Sequence, residues 1–570
     1  MRSPVAPYPA WPEEARRRYR ELGYWIDETF AEFVDDRCAR FAGNVAVVGL
    51  DAHGRETRWT YADLFDAAEG AAARIAEAGV APGDRVVVAL PNIAEFVAVI
   101  LGLFRLGALP IFALPTHREL ELTQFCVTAD AAAMVIATDE LAELHAVVAD
   151  RVGAQGVEPP VLVDVRGWVY SLRHGHGASR VRPAQRAEDV ASRGGPAQRA
   201  EEDIAFLQLS GGTTGTAKLI PRSAADYLYS VRESATICGL TEESALLVVL
   251  PAAHNFPMSS PGILGVLHVG GRVVLAPDPS PRTAFALIAR EGVTDASLVP
   301  PLAQAWVSAA RRRTPDLSSL RTIQVGGSKL ADSVAAEIGP VLGARLQQVF
   351  GMAEGLVNYT RLDDPDELVL TTQGRPISPH DEILVVDEDD NPVPDGVEGS
   401  LLTRGPYTIR GYYRPGDPEG GPNRDSFTAD GFYRTGDRVR RLPTGHLVVT
   451  GRDKDQINRA GEKVATDEIE GLALAHPDVL DAVAVGLPDP YLGESICLVV
   501  RTEPGRPRPA DLADRLAAAG LASYKLPDRV EFLDAFPETH VGKNSRRELR
   551  QLLTEQLVPT RPADHPRKTP

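Results

Sequence analysis

The sequence Ser210-Gly211-Gly212-Thr213-Thr214-Gly215-Thr216-Ala217-Lys218 directly follows the apolar run Ile204-Ala205-Phe206-Leu207-Gln208-Leu209. Its three glycines, four hydroxyl side chains and one lysine can surround phosphate oxygens with backbone N–H groups, hydroxyls and a cation. The stretch therefore predicts a triphosphate-binding loop behind a buried strand. It differs from the common nucleotidase P-loop, because two residues separate Gly215 from Lys218. On this stretch alone, a Gly/Thr-rich surface loop without a ligand is the alternative.

Composition and charge narrow the classes of protein that fit. A chain of 570 residues is too long for one core and predicts at least two domains. The net charge of −18 argues against nucleic acid as a partner, because phosphate contacts need clustered lysine and arginine. The four cysteines are widely spaced and form no Cys-x-x-Cys pair, so neither a zinc site nor a disulfide framework is indicated. No leader-like segment or apolar run of membrane length is found, which predicts a cytoplasmic protein with no membrane partner.

The pattern of apolar runs predicts the fold class. A buried-strand pattern at Arg85–Leu90 is followed by a helical pattern at Glu95–Leu106 and a second strand at Leu109–Leu114. Strand, helix and strand at this spacing form a βαβ unit, which implies a parallel sheet covered by helices. The alternation continues to about residue 325. We therefore predict an α/β protein with a large N-terminal body of several subdomains.

Changes in the pattern of apolar and turn residues divide the chain further. Short strands and turns from Asp381 predict a small β subdomain, and a mobile α+β C-terminal domain follows. Residues 172–203 have little apolar periodicity and contain Pro-Ala-Gln-Arg-Ala-Glu twice, thirteen residues apart, which indicates a flexible surface insertion. The predicted divisions are a core at 1–450, a hinge at 451–455, a C-terminal lid domain at 456–558 and a disordered tail at 559–570.

Six polar clusters lie between apolar runs, where an open α/β fold places its chemistry. They are His254-Asn255-Phe256-Pro257, Gly326-Gly327-Ser328-Lys329, Val349-Phe350-Gly351-Met352-Ala353-Glu354, Tyr433-Arg434-Thr435-Gly436-Asp437, Gly451-Arg452-Asp453-Lys454-Asp455 and Gly542-Lys543. In this order, behind the Ser/Thr/Gly loop, they resemble the adenylate-forming superfamily of acyl-CoA synthetases, luciferases and nonribosomal peptide adenylation domains. The resemblance extends from about residue 30 to residue 557.

The resemblance implies that a carboxylate attacks the α-phosphorus of ATP and that pyrophosphate leaves. Positive charge and preorganised donors are then the main catalytic need. The phosphate-binding residues would be Ser210, Gly211, Gly212, Thr213, Thr214, Gly215, Thr216 and Lys218. Glu354 matches the family's Mg²⁺-binding glutamate, and Mg²⁺ prefers hard oxygen ligands of this kind.

The nucleotide's other contacts follow from the same resemblance. Asp437 matches the aspartate that accepts both ribose hydroxyls, and Arg452 matches the arginine that also reaches the ribose. Adenine is a flat ring that needs an aromatic or peptide face. The residues expected around it are Gly326, Gly327, Val349, Phe350 and Gly351.

Lys543 and His254 are the predicted catalytic residues. Lys543 matches the family's catalytic lysine and would neutralise charge on the carboxylate and α-phosphate in the transition state. A second half-reaction, reached by rotating the C-terminal domain, is also implied. Lys454 occupies the hinge position, and Gly461 would leave room for a pantetheine arm.

The acid pocket looks closest to the stand-alone aryl-acid branch, the 2,3-dihydroxybenzoate AMP ligases of catechol siderophore synthesis. The resemblance implies that Asn255 bonds the ring's 2-hydroxyl and Ser260 its 3-hydroxyl. Phe256, Val349 and Val357 would sandwich the ring. An aspartate that captures an amino group is expected in amino-acid-activating relatives, but His254-Asn255 stands at the corresponding place.

Several substrate and acceptor alternatives stay open at this stage. Ser328, on the expected pocket floor, stands where alanine is expected and leaves room for 3-hydroxypicolinate or another substituted benzoate. Salicylate is a further alternative. Because no phosphopantetheine site is found in an added domain, the thiol acceptor is expected in trans, from an aryl carrier protein or from coenzyme A. An aryl-CoA ligase and an inactive nucleotide-binding protein on the same fold are the competing functions.

Overall fold

The structure is a computed structural model, and it describes the chain in eleven segments. They are residues 11–168, 203–210, 218–417, 420–452, 457–459, 462–464, 466–489, 492–502, 512–518, 525–538 and 544–557. The chain divides into two compact units. The larger unit comprises 1–330, 334–435 and 440–448, and the smaller unit comprises 331–333, 436–439 and 449–570. The duplicated insertion, except for residue 203, and the predicted tail lie outside the described residues.

Fifteen of the described strands precede the small β subdomain. They are β1 (Val45–Leu50), β2 (Glu56–Thr60), β3 (Arg85–Ala89), β4 (Leu109–Phe112), β5 (Ala133–Ile136), β6 (Val161–Asp164), β7 (Ile204–Leu209), β8 (Leu219–Ser223), β9 (Ala245–Val248), β10 (Arg272–Leu275), β11 (Asp295–Leu298), β12 (Thr322–Gly326), β13 (Arg345–Met352), β14 (Leu356–Tyr359) and β15 (Arg375–Pro376).

Helices alternate with these strands and continue to residue 426. They span Glu13–Glu21, Phe30–Arg40, Tyr61–Glu77, Ala94–Leu106, Glu119–Ala129, Asp139–Ala154, Ala224–Ile237, Asn255–Ser259, Gly262–Val269, Pro281–Glu291, Pro300–Arg313, Asp332–Leu342, Asp366–Thr371 and Pro422–Ser426, with a 3₁₀ turn at Val165–Gly167. The predicted N-cap of the helix at Tyr61 is confirmed: Thr60 Oγ1 accepts from the backbone N–H of Asp63, whose side chain accepts from the N–H of Thr60.

Two mostly parallel sheets form the body of the larger unit, which confirms the predicted α/β class. The six-stranded sheet has the order β6-β5-β3-β4-β7-β8, and β3 pairs in parallel with β4 as the βαβ pattern predicted. The nine-stranded sheet has the order β15-β14-β13-β12-β11-β9-β10-β1-β2. Its central pairs are parallel, so the ends of β9, β11 and β12 meet at one edge.

The predicted small β subdomain is a four-stranded sheet. Its strands are β16 (Glu382–Val386), β17 (Glu398–Arg404), β18 (Tyr433–Arg441) and β19 (Leu447–Arg452), in that order. The turn after β16 is held by Asp387, whose Oδ1 accepts from the backbone N–H groups of Asp389 and Asn391, each at 2.9 Å.

The smaller unit has its own sheet and core. Its strands are β20 (Ile457–Arg459), β21 (Glu462–Val464), β22 (Val479–Asp489), β23 (Gly493–Thr502) and β24 (Arg529–Phe532), with helices at Thr466–Leu474, Leu512–Ala518 and Arg546–Leu557. Alternate residues of β22 and β23 are buried in two clusters. Ala484 and Leu498 pack with Ile469, whereas Val485 and Val499 pack with Leu549. Both faces of this sheet are therefore covered by helices.

All four cysteines are buried, and none forms a disulfide. Burial raises the pKa of both Cys38 and Cys497 to about 12 and raises that of Cys238 well above its usual range. Among the described helices, none is long and apolar enough to span a membrane.

Candidate active site

The β7–β8 hairpin fixes both ends of the predicted phosphate loop. Leu209 pairs with Leu219, and Ser210 N donates to Lys218 O at 3.0 Å. The Ser210 Oγ accepts in turn from Lys218 N at 3.0 Å. The predicted phosphate-binding residues between them, Gly211, Gly212, Thr213, Thr214, Gly215 and Thr216, lie outside the described residues.

Lys218 and Glu354 both contact Tyr412. The Lys218 ammonium lies 4.3 Å from the centre of the Tyr412 ring and 3.4 Å from Ser426 Oγ. Tyr412 Oη donates to Glu354 Oε1 at 3.0 Å, and Tyr433 Oη lies 3.1 Å from Tyr412 Oη. Burial and the Glu354 charge raise the pKa of Tyr412 well above its usual value, so the phenol stays protonated. Tyr412 thus contacts a cation through its ring and a carboxylate through its hydroxyl.

Glu354 has the chemistry that a magnesium ligand needs. Its side chain is buried, and its carboxylate supplies hard oxygen donors, one of which accepts from the Tyr412 hydroxyl. In the described part of the chain, no three side chains of histidine, cysteine, aspartate or glutamate gather into a metal-binding group. A single carboxylate suits Mg²⁺ that takes its other ligands from nucleotide phosphates and water.

The segment that carries Glu354 is fixed by the segment 407–412. Ile409 N donates to Glu354 O at 2.8 Å, and Thr408 Oγ1 donates to Gly355 O at 2.9 Å. Gly355 has a φ of +115°, and a Cβ added there would lie 1.9 Å from Tyr407 O. Only glycine allows this approach of the two backbones.

Arg222 ties the same segments to the phosphate-loop hairpin. This buried residue of β8 donates from Nη1 to Ala353 O at 2.7 Å and from Nη2 to Tyr407 O at 3.1 Å. Burial raises the pKa of the neighbouring Asp226 to about 6, although the Arg222 charge lowers it. Sequence reasoning missed Arg222, Tyr407 and Tyr412. The charged residue within the apolar β8 and the tyrosine-rich run near residue 410 were the available signals.

Two predicted ring-contact residues, Phe256 and Val349, meet at Gly326, the last residue of β12. A Cβ added at Gly326 would lie 2.7 Å from Val349 O, 3.1 Å from Val349 Cβ and 3.3 Å from Phe256 Cζ. Phe256 and Val349 are buried. Val357, also buried, pairs with Gly351 across β13 and β14. The missing side chain at Gly326 thus lets Phe256 and Val349 pack closely against the end of β12.

The helix Asn255–Ser259 carries the predicted polar contacts of the acid pocket. His254 is its N-cap, and its Nδ1 accepts from Phe256 N at 3.3 Å. Asn255 Oδ1 accepts from the buried Tyr227 hydroxyl at 2.8 Å, which orients the amide and leaves Nδ2 as its donor group. Ser260 is buried, and its hydroxyl lies beside that of Tyr359, a neighbour that the sequence did not indicate.

Two neighbouring predictions stay open. Ser328 is exposed, and its contact with the acid stays a prediction. Gly327, directly after β12, has a φ of +91°. Phe350 is half-buried, and its carbonyl accepts from Asn358 Nδ2 at 2.9 Å. Its contact with adenine stays a prediction.

The two predicted ribose contacts lie together within the smaller unit. Arg452 Nε donates to Asp437 Oδ1 at 2.8 Å. The Asp437 side chain is only 4% exposed, whereas that of Arg452 is 53% exposed. The arginine therefore orients a carboxylate that is otherwise buried. Lys454, Gly461 and Lys543 lie outside the described residues.

The chain matches known proteins over almost its whole length. Residues 34–413 match the family described as AMP-binding enzyme, and residues 468–543 match the AMP-binding enzyme C-terminal domain. A 2,3-dihydroxybenzoate-AMP ligase of Bacillus subtilis (strain 168) is 48% identical over 96% of this chain and 98% of that protein. A Streptomyces protein named salicylyl-CoA synthase / salicylate adenylyltransferase is 46% identical over 95% and 97%. The apo structure of MbtA from Mycobacterium smegmatis is 42% identical, with a TM-score of 0.69, over 95% of this chain and 98% of that one.

Proposed function

Because the chain belongs to the AMP-binding enzyme family, we propose that it activates an aryl carboxylic acid with ATP and releases pyrophosphate. The best candidate is 2,3-dihydroxybenzoate. The acyl group then passes to the phosphopantetheine thiol of an aryl carrier protein, in siderophore or peptide natural-product biosynthesis. The full-length likeness to a 2,3-dihydroxybenzoate-AMP ligase supports this substrate class.

The observation that carries the proposal is the packing of Phe256 and Val349 beside Gly326. An aromatic and a β-branched side chain thus stand together where the family resemblance expects the aryl ring, and an aromatic face suits a flat ring. Asn255, next to Phe256 in the chain and oriented by Tyr227, offers an amide donor. Apolar side chains with a few oriented polar groups are the usual lining of a small-molecule site.

In the proposed first step, a carboxylate oxygen of the acid attacks the α-phosphorus of ATP. The bond from that phosphorus to the bridging oxygen breaks, and pyrophosphate leaves as the acyl-adenylate forms. In the second step the carrier's thiol loses its proton and attacks the acyl carbon, which releases AMP. Two anions meet in the first step, so its rate depends on fixed positive charge.

The residues of the larger unit have distinct roles in this scheme. Lys218 and the hairpin loop would hold the β and γ phosphates. Glu354 would hold Mg²⁺, which when bound supplies positive charge to the phosphate oxygens. The protonated Tyr412 keeps one oxygen of Glu354 in place. His254 is proposed as a second catalytic residue, with its ring next to the acid's carboxylate. Its Nδ1 caps the helix.

The other nucleotide contacts are proposed from the sequence match. Asp437, oriented by Arg452, is proposed to accept hydrogen bonds from the ribose hydroxyls. Lys543 is proposed as the catalytic lysine of adenylation, on its sequence match alone. Lys454 and Gly461 are proposed for the change to thiol transfer on the same basis.

The first experiment measures pyrophosphate exchange into ATP with a panel of acids. The panel contains 2,3-dihydroxybenzoate, salicylate, 3-hydroxypicolinate, 3-hydroxyanthranilate, benzoate and several amino acids. We expect the strongest exchange with 2,3-dihydroxybenzoate and a drop of about tenfold with salicylate, the value of one hydrogen bond. Ser260→Ala should reduce that preference without lowering exchange with salicylate. Exchange with no acid would favour the inactive nucleotide-binding protein.

A second measurement separates the acceptors. The Streptomyces relative's name includes a CoA ligase activity, so free coenzyme A is the specific alternative to a carrier protein. We expect transfer of the activated acyl group to a phosphopantetheinylated aryl carrier protein to be much faster than transfer to coenzyme A. Equal rates would favour an aryl-CoA ligase.

A further inference from the structure

Tyr407 connects the proposed acid pocket to a carboxyl group behind it. Val357 N donates to Tyr407 Oη at 3.2 Å, and Tyr407 Oη donates to Asp381 Oδ2 at 2.7 Å. Tyr407 is fully buried. The tyrosine hydroxyl is therefore both acceptor and donor in one chain of bonds that begins at the backbone of β14.

The Asp381 carboxyl is partly buried and, within the described segments, has no cation beside it. Its Oδ2 accepts from Ser378 N at 3.2 Å, while Oδ1 is buried and lacks a hydrogen-bond partner. A Cβ added at Gly405 would lie 2.2 Å from Oδ1, so this glycine lets the backbone cover the carboxyl. Among the described residues, no arginine, lysine or histidine pairs with Asp381. A buried carboxyl in these surroundings is more stable protonated.

The N-terminal segment holds this arrangement from the other side. Trp25 Nε1 donates to Pro406 O at 2.9 Å, next to Tyr407. The Tyr24 hydroxyl lies 2.7 Å from His380 Nδ1, next to Asp381. Tyr24 and Trp25 thus hold the residues that directly precede Asp381 and Tyr407 in the chain.

We propose that Tyr407 and Asp381 form a positioning pair for the aryl-acid pocket, in which a neutral Asp381 fixes the Tyr407 hydroxyl and thereby the Val357 amide. This inference rests on the proposed function. The pair touches no substrate. It sets the position of the β14 backbone and so of Val357, one of the residues expected to face the ring.

Titration gives the pair a signature that a purely structural role lacks. Burial raises the pKa of Asp381 to about 8, with the Tyr407 and Ser378 hydrogen bonds lowering it. The titratable groups around it are phenols: burial raises the pKa of Tyr19 to about 12 and raises those of Tyr24, Tyr229 and Tyr407. Nearby, Glu382 pairs with Arg404, and His380 bonds Tyr24. The Tyr407 bond favours the ionised form, but ionised Asp381 would be a largely enclosed charge without a cation, which favours a local rearrangement of this segment toward water.

The test measures kcat and the KM of the acid by pyrophosphate exchange, with the acid that the wild type prefers. Tyr407→Phe should raise the acid's KM about fivefold to tenfold, the loss of one hydrogen bond, while the KM of ATP stays within about twofold. Asp381→Leu should behave alike. Asp381→Asn keeps the acceptor for Tyr407 and should restore the wild-type KM near pH 7.

The pH profile of kcat/KM completes the test. The wild type should lose activity above about pH 8, and Asp381→Asn should lack that fall. Two matched controls test whether the loss of any buried tyrosine hydroxyl or buried carboxyl gives the same result. Tyr61→Phe removes a buried hydroxyl bonded to Gly271 O, and Asp295→Asn removes a buried carboxyl whose pKa burial raises to about 6. Neither control should change the acid's KM or the alkaline fall.

The outcomes distinguish this inference from the proposed function. No exchange by the wild type with any aryl acid would overturn the proposed function itself. Wild-type exchange with an unchanged acid KM in Tyr407→Phe would overturn the positioning pair alone. An alkaline fall that is the same in Asp381→Asn would overturn the neutral carboxyl. Melting temperatures across the same pH range show whether any variant has lost its fold.

Discussion

Two regions of the larger unit are built in opposite ways around the same pair of strands. On the proposed phosphate side, Lys218, Tyr412 and Glu354 are held by directional polar contacts between 3.0 and 4.3 Å. On the proposed acid side, Phe256, Gly326 and Val349 meet through packing, with the absent side chain of Gly326 as the decisive feature. Both regions depend on β13 and β14, which carry Val349 and Val357 and flank Glu354.

The difference shows what each proposed ligand requires. A triphosphate needs charges at fixed positions, and a buried charge needs a bonded partner to stay in place. A ring needs a gap of the right width, and packing supplies width without hydrogen bonds. Changes of charge should therefore affect the phosphate side most, and changes of volume should affect the acid side most.

The largest expected effect is that of Glu354→Gln. Glutamine keeps an oxygen for the Tyr412 hydroxyl but removes the charge offered to Mg²⁺, so pyrophosphate exchange should fall about 10²–10³-fold. Raising the Mg²⁺ concentration should restore part of the loss. Glu367→Gln, an exposed carboxylate in the helix Asp366–Thr371, serves as the control and should change nothing. If Glu354→Gln exchanged pyrophosphate at the wild-type rate, the proposed phosphate side would not depend on the charge of Glu354.

Gly326→Ala should have the next largest effect. The new methyl group would lie 2.7 Å from Val349 O, and overpacking of this kind costs about 1–3 kcal/mol. We expect the KM of the acid to rise about tenfold. Gly339→Ala, in the helix Asp332–Leu342, is the control: its Cβ meets nothing closer than 3.9 Å, so it should leave the KM unchanged. A KM that rises equally in both variants would show that the width at Gly326 is not the cause.

Arg452→Ala should have the smallest effect and extends the comparison to the smaller unit. Arg452 is more than half exposed, so its bond to Asp437 is screened by water. The KM of ATP should rise about threefold, with the KM of the acid unchanged. Arg441→Ala, which breaks a surface pair with Asp395, provides the comparison. An acid KM that rises with that of ATP would mean that Arg452 does more than orient Asp437.

The sequence predicted the elements better than the contacts between them. The βαβ alternation, the small β sheet and the N-cap at Thr60 follow from local patterns, because apolar period and capping chemistry act within a few residues. The meeting of Phe256 with Val349 followed from family resemblance. Arg222 could not be placed, since its bond to Ala353 O joins residues 131 positions apart and leaves no periodic trace.

The same limit explains the other differences. Tyr407 and Tyr412 act through hydroxyl groups whose partners come from distant segments, and an isolated tyrosine is as easily a core residue. Ser328 was expected on the pocket floor; it is exposed, and its contact with the acid stays a prediction.

The buried cysteines have a chemical consequence for an enzyme of this proposed kind. An acyl-adenylate is an electrophile, and the nucleophilic form of cysteine is the thiolate. None of the four thiols is exposed, and burial suppresses ionisation of Cys38, Cys238 and Cys497. The protein therefore presents no thiolate of its own on its surface. An activated acyl group held long enough to wait for its acceptor would be spared from transfer to the protein's own cysteines.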